Sequence, residues 1–369
     1  MFEHAVPGGA LLPHAPQFLT RPPTEDAATI ARVEAVGARI GRELAALEPD
    51  VWITVSNDHA QQFFLDCAPP FALHVGGEAR GEFAGREFRH PVASEVSFAL
   101  VRALYRAGFD PAFSSTAEVD YALGIPLAHL GLGEAHGAAR VAPIVPVFVN
   151  AYLPPQPQIE RCYAFGQALA AALAALRLRA VVVASGGMSH FPGTDRYSDP
   201  DTAFDEALLA QLRAGRLKAL AGLSEETLDD SGNIELRCWA VAAGMLGDRV
   251  PDAVEFNPSW HHNYASLGFW SQSPGLATGE AAPAAAIPHY PPTRPDLVAL
   301  VSVLHALANE PAARAAWVAD RTAFVGRHSR LPAEHARLLL AGDFRAMVSL
   351  GVHPLVPFLA RLALERETA

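Results

Sequence analysis

The sequence predicts an α/β fold: a mixed central sheet flanked by helices, followed by a small all-helical C-terminal domain. Three observations carry this reading. Runs rich in β-branched residues at 51–56, 141–149 and 180–185 have the character of buried strands. They alternate with long, Ala-rich amphipathic stretches at 25–47, 94–107, 158–176 and 201–214, the pattern of layered α/β domains. Beyond residue 295, helical patterns at 297–307, 311–325, 332–341 and 343–349 are broken by Gly and Pro, with no β-rich run among them.

In chain order, the apolar segment 9–13 runs into His14-Ala15-Pro16, so His14 falls in a loop leaving a strand, at the sheet edge where open α/β folds place ligands. Alone, it reads first as an ordinary loop histidine. The strand at 51–56 ends abruptly on Asn57-Asp58-His59, and a polar cluster at a buried strand end must be paired or coordinated. Asp58 reads either as a partner orienting an imidazole or as a helix cap. The strand at 180–185 ends on Gly186-Gly187-Met188-Ser189-His190, where paired glycines permit a tight turn. His190 is then either a proton-transfer group titrating near neutrality or a solvated residue of a turn.

Asn233 is a good N-cap for an amphipathic helix at 235–245. Glu235, in its first turn, complements the helix dipole without any need of a metal. His261 and His262 are adjacent, so at most one faces a given centre. Arg237 and Arg196 are the arginines nearest these segments, and on a surface helix an arginine is ordinarily a solvated charge. The Pro/Ala-rich stretch 274–295 has linker composition, which separates a domain at 1–273 from one at 296–369.

Composition narrows the function. A chain of 369 residues with 50% hydrophobic content can bury one large core and a second, smaller one. With 28 Lys plus Arg against 39 Asp plus Glu, the net charge of -11 disfavours nucleic acid and anionic membranes and favours a small-molecule substrate. The three widely spaced cysteines fit a reducing cytoplasm better than a disulfide framework. No run approaches the ~20 apolar residues of a membrane span, and no basic, then apolar leader opens the chain, so a cytoplasmic protein is expected.

His14, His59 and Glu235 together offer two neutral imidazoles and a carboxylate. That is the donor set of non-haem ferrous centres, which keep positions open for substrate and dioxygen. Zinc sites that activate water use the same set. Read from the residues alone, three functions stay open: a metal-dependent oxygenase, a zinc hydrolase of a small ester or amide, and a noncatalytic ligand-binding protein.

His14, the Asn-Asp-His at 57–59, the Gly-Gly-Met-Ser-His at 186–190 and Gly232-Asn233-Ile234-Glu235-Leu236-Arg237-Cys238-Trp239, taken in order, resemble the class III extradiol ring-cleaving dioxygenases, the family of the protocatechuate 4,5-dioxygenase β subunit. Beyond the linker, Gly342-Asp343-Phe344 and Leu350-Gly351-Val352-His353-Pro354 resemble the small helical α subunit, fused as in gallate dioxygenase-like proteins. The resemblance implies that His14, His59 and Glu235 hold Fe(II), with Mn(II) as the alternative ion, and that His190 is the base beside it. It implies a small aromatic diol and O2 as reactants, ring opening next to the diol, a helical domain covering the active site, and a tendency to homo-oligomerise. One departure stands out. Where the family has a second histidine in an Asp-His-Gly segment, this chain has Asp120-Tyr121-Ala122. A phenol with an ordinary pKa of about 10 shuttles protons poorly at neutral pH, so Tyr121 is expected to position substrate or oxygen. The substrate expectation accordingly spans catechols, aminophenols and hydroxylated pyridines, with His129 as a neighbour able to compensate.

Overall fold

The computed structural model describes residues 5–132, 143–271 and 294–368. The chain divides into two compact units, Met1–Ala281 and Ala282–Ala369. The expected linker at 274–295 lies outside the described residues except for Arg294 and Pro295.

In the first unit the order is β1 (Gly8–Leu12), α1 (Gln17–Thr20), α2 (Ala27–Ala45), β2 (Val51–Ser56), β3 (Phe71–His74), β4 (Glu78–Phe83), β5 (Arg86–Pro91), α3 (Ser94–Arg106), β6 (Ala112–Ser114), α4 (Tyr121–His129), β7 (Ile144–Val149), α5 (Ile159–Ala175), β8 (Ala180–Ser185), α6 (Thr202–Arg213), α7 (Glu225–Asp230), α8 (Leu236–Leu246), β9 (Ala253–Asn257) and β10 (Tyr264–Phe269). Eight strands form one mixed sheet in the order β6-β3-β7-β2-β8-β1-β10-β9. Its centre, β7-β2-β8-β1, is parallel, while β3 pairs antiparallel with β7, and β10 with both β1 and β9. Strands β2, β7 and β8 are buried along their whole length, which is why they read as continuous apolar runs.

Helices cover both faces. A Cβ on Gly8 of β1 would strike Leu44 of α2, and one on the next residue, Gly9, would meet Leu246 of α8, so those helices lie on opposite sides of the strand. Helix α8 is buried on every face, not amphipathic as expected, because it is enclosed between the sheet and α5. Gly166 of α5 and Gly244 of α8 make that closeness possible: a Cβ on either would lie about 2 Å from a backbone oxygen of the other helix. This tight seat fixes the start of α8, where Glu235 stands. The hairpin β4–β5, connected by Ala84 and Gly85 at positive φ, lies against α4, with Phe88 touching Gly124.

The second unit contains α9 (Val298–Asn309), α10 (Pro311–Ala319), α11 (Arg321–Gly326), α12 (Ala333–Ala341), α13 (Phe344–Leu350) and α14 (Leu355–Thr368) around its own apolar core, which includes Leu300, Leu304, Trp317, Phe324 and Met347. The single helix expected at 311–325 is two, because Asp320 caps a new helix by accepting from Ala323 N. Among the described residues no helix is long and apolar enough to cross a membrane.

Candidate metal centre

The four parallel strands each deliver a polar side chain just past their carboxyl ends: His14 after β1, His59 after β2, His190 after β8 and Tyr152 after β7. Glu235 reaches the same point from the N-terminus of α8. His14 and Glu235 are buried, and one nitrogen of each of His14 and His59 and a carboxylate oxygen of Glu235 lie within 4.8 Å of one another. The structure therefore brings His14, His59 and Glu235 together, with His190 and Tyr121 beside them.

Hydrogen bonds behind the rings decide which nitrogen faces inward. Ser185 gives its single proton to Ala122 O, so it must accept from His14 Nδ1–H, at 2.7 Å. His14 Nε2 is thereby left facing Glu235 Oε1 at 3.2 Å. Asp120 accepts from His59 Nδ1–H at 2.6 Å and from His59 N at 3.0 Å, leaving His59 Nε2 3.6 Å from the same oxygen. His190 Nδ1–H is held by Met188 O at 2.8 Å, with Nε2 3.9 Å from Glu235 Oε1. Three imidazoles thus aim Nε2 at one carboxylate oxygen.

Lone pairs facing a carboxylate repel it unless a proton or a cation lies between them, so this arrangement fits a divalent metal. Glu235 is anchored by Gly187 N–H on Oε2, and by Asn57 Nδ2 at 3.2 Å and Tyr152 OH at 2.8 Å on Oε1. Burial pushes the Glu235 carboxyl up, but the charge of His14 beside it and hydrogen bonds from His14 and His59 outweigh it and hold the group well below the usual range. Burial likewise pulls His59 down, and Asp120 and Glu235 overcome it to raise His59 to about 9.

On the other flank, His262 lies flat on His190, ring centroids 4.1 Å apart and planes within 1°. Burial lowers the pKa of both. His262 Nε2 packs against Gly187, where a Cβ would come within 2.2 Å of it, so a side chain there would push the His262 ring aside. His261 turns away to Glu25, at 2.7 Å, so one of the two adjacent histidines faces the site. Tyr121 stacks on His59 at 4.3 Å, with Phe83 of the β4–β5 hairpin 4.5 Å beyond it.

Several expectations change. Asp58 does not orient an imidazole; it accepts from Gln62 N and Phe63 N in the following turn, and Asp120 takes the orienting place. Asn233 does not cap α8; its side chain is buried and donates to Asp205 at 2.9 Å. Arg237 is not solvated but buried, donating to Pro157 O and Ile234 O, while Arg196 lies over Phe191. His129 packs into the core against Phe18, away from the site. Tyr152 and the backing roles of Asp120 and Ser185 were not among the expectations from sequence. Tyr152 was within reach by treating the end of β7 like the ends of β1, β2 and β8.

Comparison with known proteins agrees with this geometry. Residues 8–271 match the family described as the catalytic LigB subunit of aromatic ring-opening dioxygenase. A 2,3-dihydroxyphenylpropionate/2,3-dihydroxicinnamic acid 1,2-dioxygenase of Klebsiella pneumoniae (strain 342) is 35% identical over 240 residues, covering 65% of this chain and 71% of the relative. One of the same name from Cupriavidus necator is 27% identical over 305 residues, 69% of this chain and 92% of the relative. Metal dependence goes with this family, and the hydrolase reading falls away. The chain belongs to the LigB family of extradiol, aromatic ring-opening dioxygenases.

Proposed function

We propose that the protein is an Fe(II)-dependent extradiol dioxygenase that opens a catechol-type ring, with His14, His59 and Glu235 as the metal ligands, His190 as the base and Tyr121 as a positioning group. The observation that carries this reading is the convergence of three Nε2 atoms on one oxygen of Glu235, each ring locked by a donor bond from its own Nδ1. When bound, a ferrous ion supplies what no side chain here can: adjacent sites for a diol and dioxygen and a path for electron density between them.

The chain's own residues do the rest. Ser185 and Asp120 keep His14 and His59 in the tautomer that offers Nε2, and Asp120 adds negative charge behind a ligand. His190, neutral because burial disfavours its cation, takes the proton of a substrate hydroxyl at Nε2 and returns it later in the reaction. Tyr121, whose hydroxyl burial keeps protonated, forms an uncharged aromatic wall with Phe83 and so suits the face of a flat ring. The named relatives make catechols with a carboxylated side chain the first substrates to try.

The test is anaerobic reconstitution with Fe(II), followed by oxygen uptake on 2,3-dihydroxyphenylpropionate, other substituted catechols, aminophenols and dihydroxypyridines. Uptake equimolar with a ring-opened product from a catechol supports the proposal. Oxygen-independent turnover, or uptake with no diol, overturns it.

A further inference from the structure

Asp205, in the first turn of α6, is fully buried and has no part in the chemistry above. Its Oδ2 accepts from Ser189 N at 2.9 Å and Asn263 Nδ2 at 2.8 Å, and its Oδ1 accepts from Asn233 Nδ2 at 2.9 Å. Those partners stand on three separate loops. Ser189 precedes His190, Asn233 lies two residues before Glu235, and Asn263 follows His262. Further bonds join the loops around this point: Asn263 N to Ser189 O at 3.2 Å, Ser189 Oγ to Ser231 O at 2.5 Å, and His190 N to Gly232 O at 3.1 Å.

A carboxylate suits this place because it accepts on both oxygens and donates nothing, whereas an asparagine would turn an amide against one of the donors. Among the described residues no cation hydrogen-bonds to it, and burial pushes its carboxyl up to about 6. A charge kept at such a cost asks for a role in geometry rather than in stability.

We propose that Asp205 is a positioning residue for ring cleavage, a buried tie that sets the loops of His190, Glu235 and His262 against one another. The inference rests on the roles proposed above for His190 and Glu235. In this account Asp205 does for one flank of the site what Asp120 does for the other, through backbone and amides instead of through an imidazole.

The experiment compares wild type, Asp205→Asn and Asn263→Ala, each loaded with Fe(II), by steady-state kinetics and by amide hydrogen exchange of the metal-free chains. In Asp205→Asn, kcat falls by about 10–100-fold, the range for residues that orient metal-site groups, while KM stays within about twofold. Exchange quickens together in 186–190, 231–235 and 261–263 and is unchanged in 12–14 and 57–59. Asn263→Ala, which removes one of the three donors to Asp205 together with a contact to Thr202, shows the same pattern in 186–190 and 261–263 with about a tenfold loss of kcat, and it decides the matter if Asp205→Asn does not fold. Unchanged kcat, or exchange that quickens evenly through the unit, overturns the tie. If wild type opens no ring, the roles of His190 and Glu235 fall, and the exchange pattern alone judges whether Asp205 holds the loops.

Discussion

The two flanks of Glu235 carry the same side chain and prepare it for opposite work. His14 and His59 stand edge to face, centroids 5.1 Å apart, and one of them is backed by the carboxylate of Asp120. His190 and His262 lie face to face, and His190 is backed by the carbonyl of Met188. A carboxylate behind Nδ1 favours positive charge at Nε2, whether proton or metal, whereas burial against a second imidazole keeps a ring neutral and ready to accept a proton. What stands behind the ring, more than the ring itself, separates a ligand from a base.

Removing one ring from each flank gives the largest effects. His59→Ala is expected to abolish metal retention and with it turnover. His190→Ala keeps the metal and slows kcat by about 10²–10⁴-fold, the usual weight of a general base. Metal content and steady-state rates on the same preparations measure both, and equal metal retention in wild type and His59→Ala would break the comparison.

A subtler cut removes only the backing charge. Asp120→Asn should weaken metal binding by about 10–100-fold. Its pH dependence has a definite sign: metal-free His59, raised to about 9, carries a proton at neutral pH that a cation must displace. Affinity therefore climbs as pH rises and levels off near 9 in wild type, and levels off at lower pH in Asp120→Asn. Metal titrations across that range check it; superimposable profiles would remove Asp120 from the account.

His90 on β5 adds a third case, buried and with no hydrogen-bond partner at Nδ1 among the described residues. Burial lowers its pKa to about 4 from an ordinary 6.5. Unfolded chains therefore bind this proton first, and stability is lost as pH falls from 6.5 towards 4, by about 1 kcal/mol at pH ~5.5. Denaturant melts of wild type and His90→Phe should diverge over that window, the variant showing the flatter acid limb.

Much of this was legible because strand ends punctuate the chain. An apolar run that breaks into His14, into Asn57-Asp58-His59 or into the Gly-Gly turn before His190 marks the carboxyl rim of a parallel sheet, where ligands gather. Other features depend on distance in sequence. Asp58 is next to His59, yet its carboxylate is satisfied by the next turn, and the partner arrives from Asp120, 61 residues on. Tyr152 follows β7 in Asn150-Ala151-Tyr152-Leu153-Pro154, which reads as a plain turn. Strands β4 and β5 are too charged to stand out as apolar runs, and they pair because Ala84-Gly85 turns the chain back on itself. Asp205 left a trace: it shares a helix face with Leu208, Leu209 and Leu212, an acid where the core should be.

The most direct test of the central claim is a crystal structure grown anaerobically with Fe(II), read at the iron absorption edge. One anomalous peak is expected about 2.0–2.2 Å from Nε2 of His14, Nε2 of His59 and a carboxylate oxygen of Glu235, with His190 outside bonding reach. A peak bonded to His190 or His262, or none near Glu235, would contradict it.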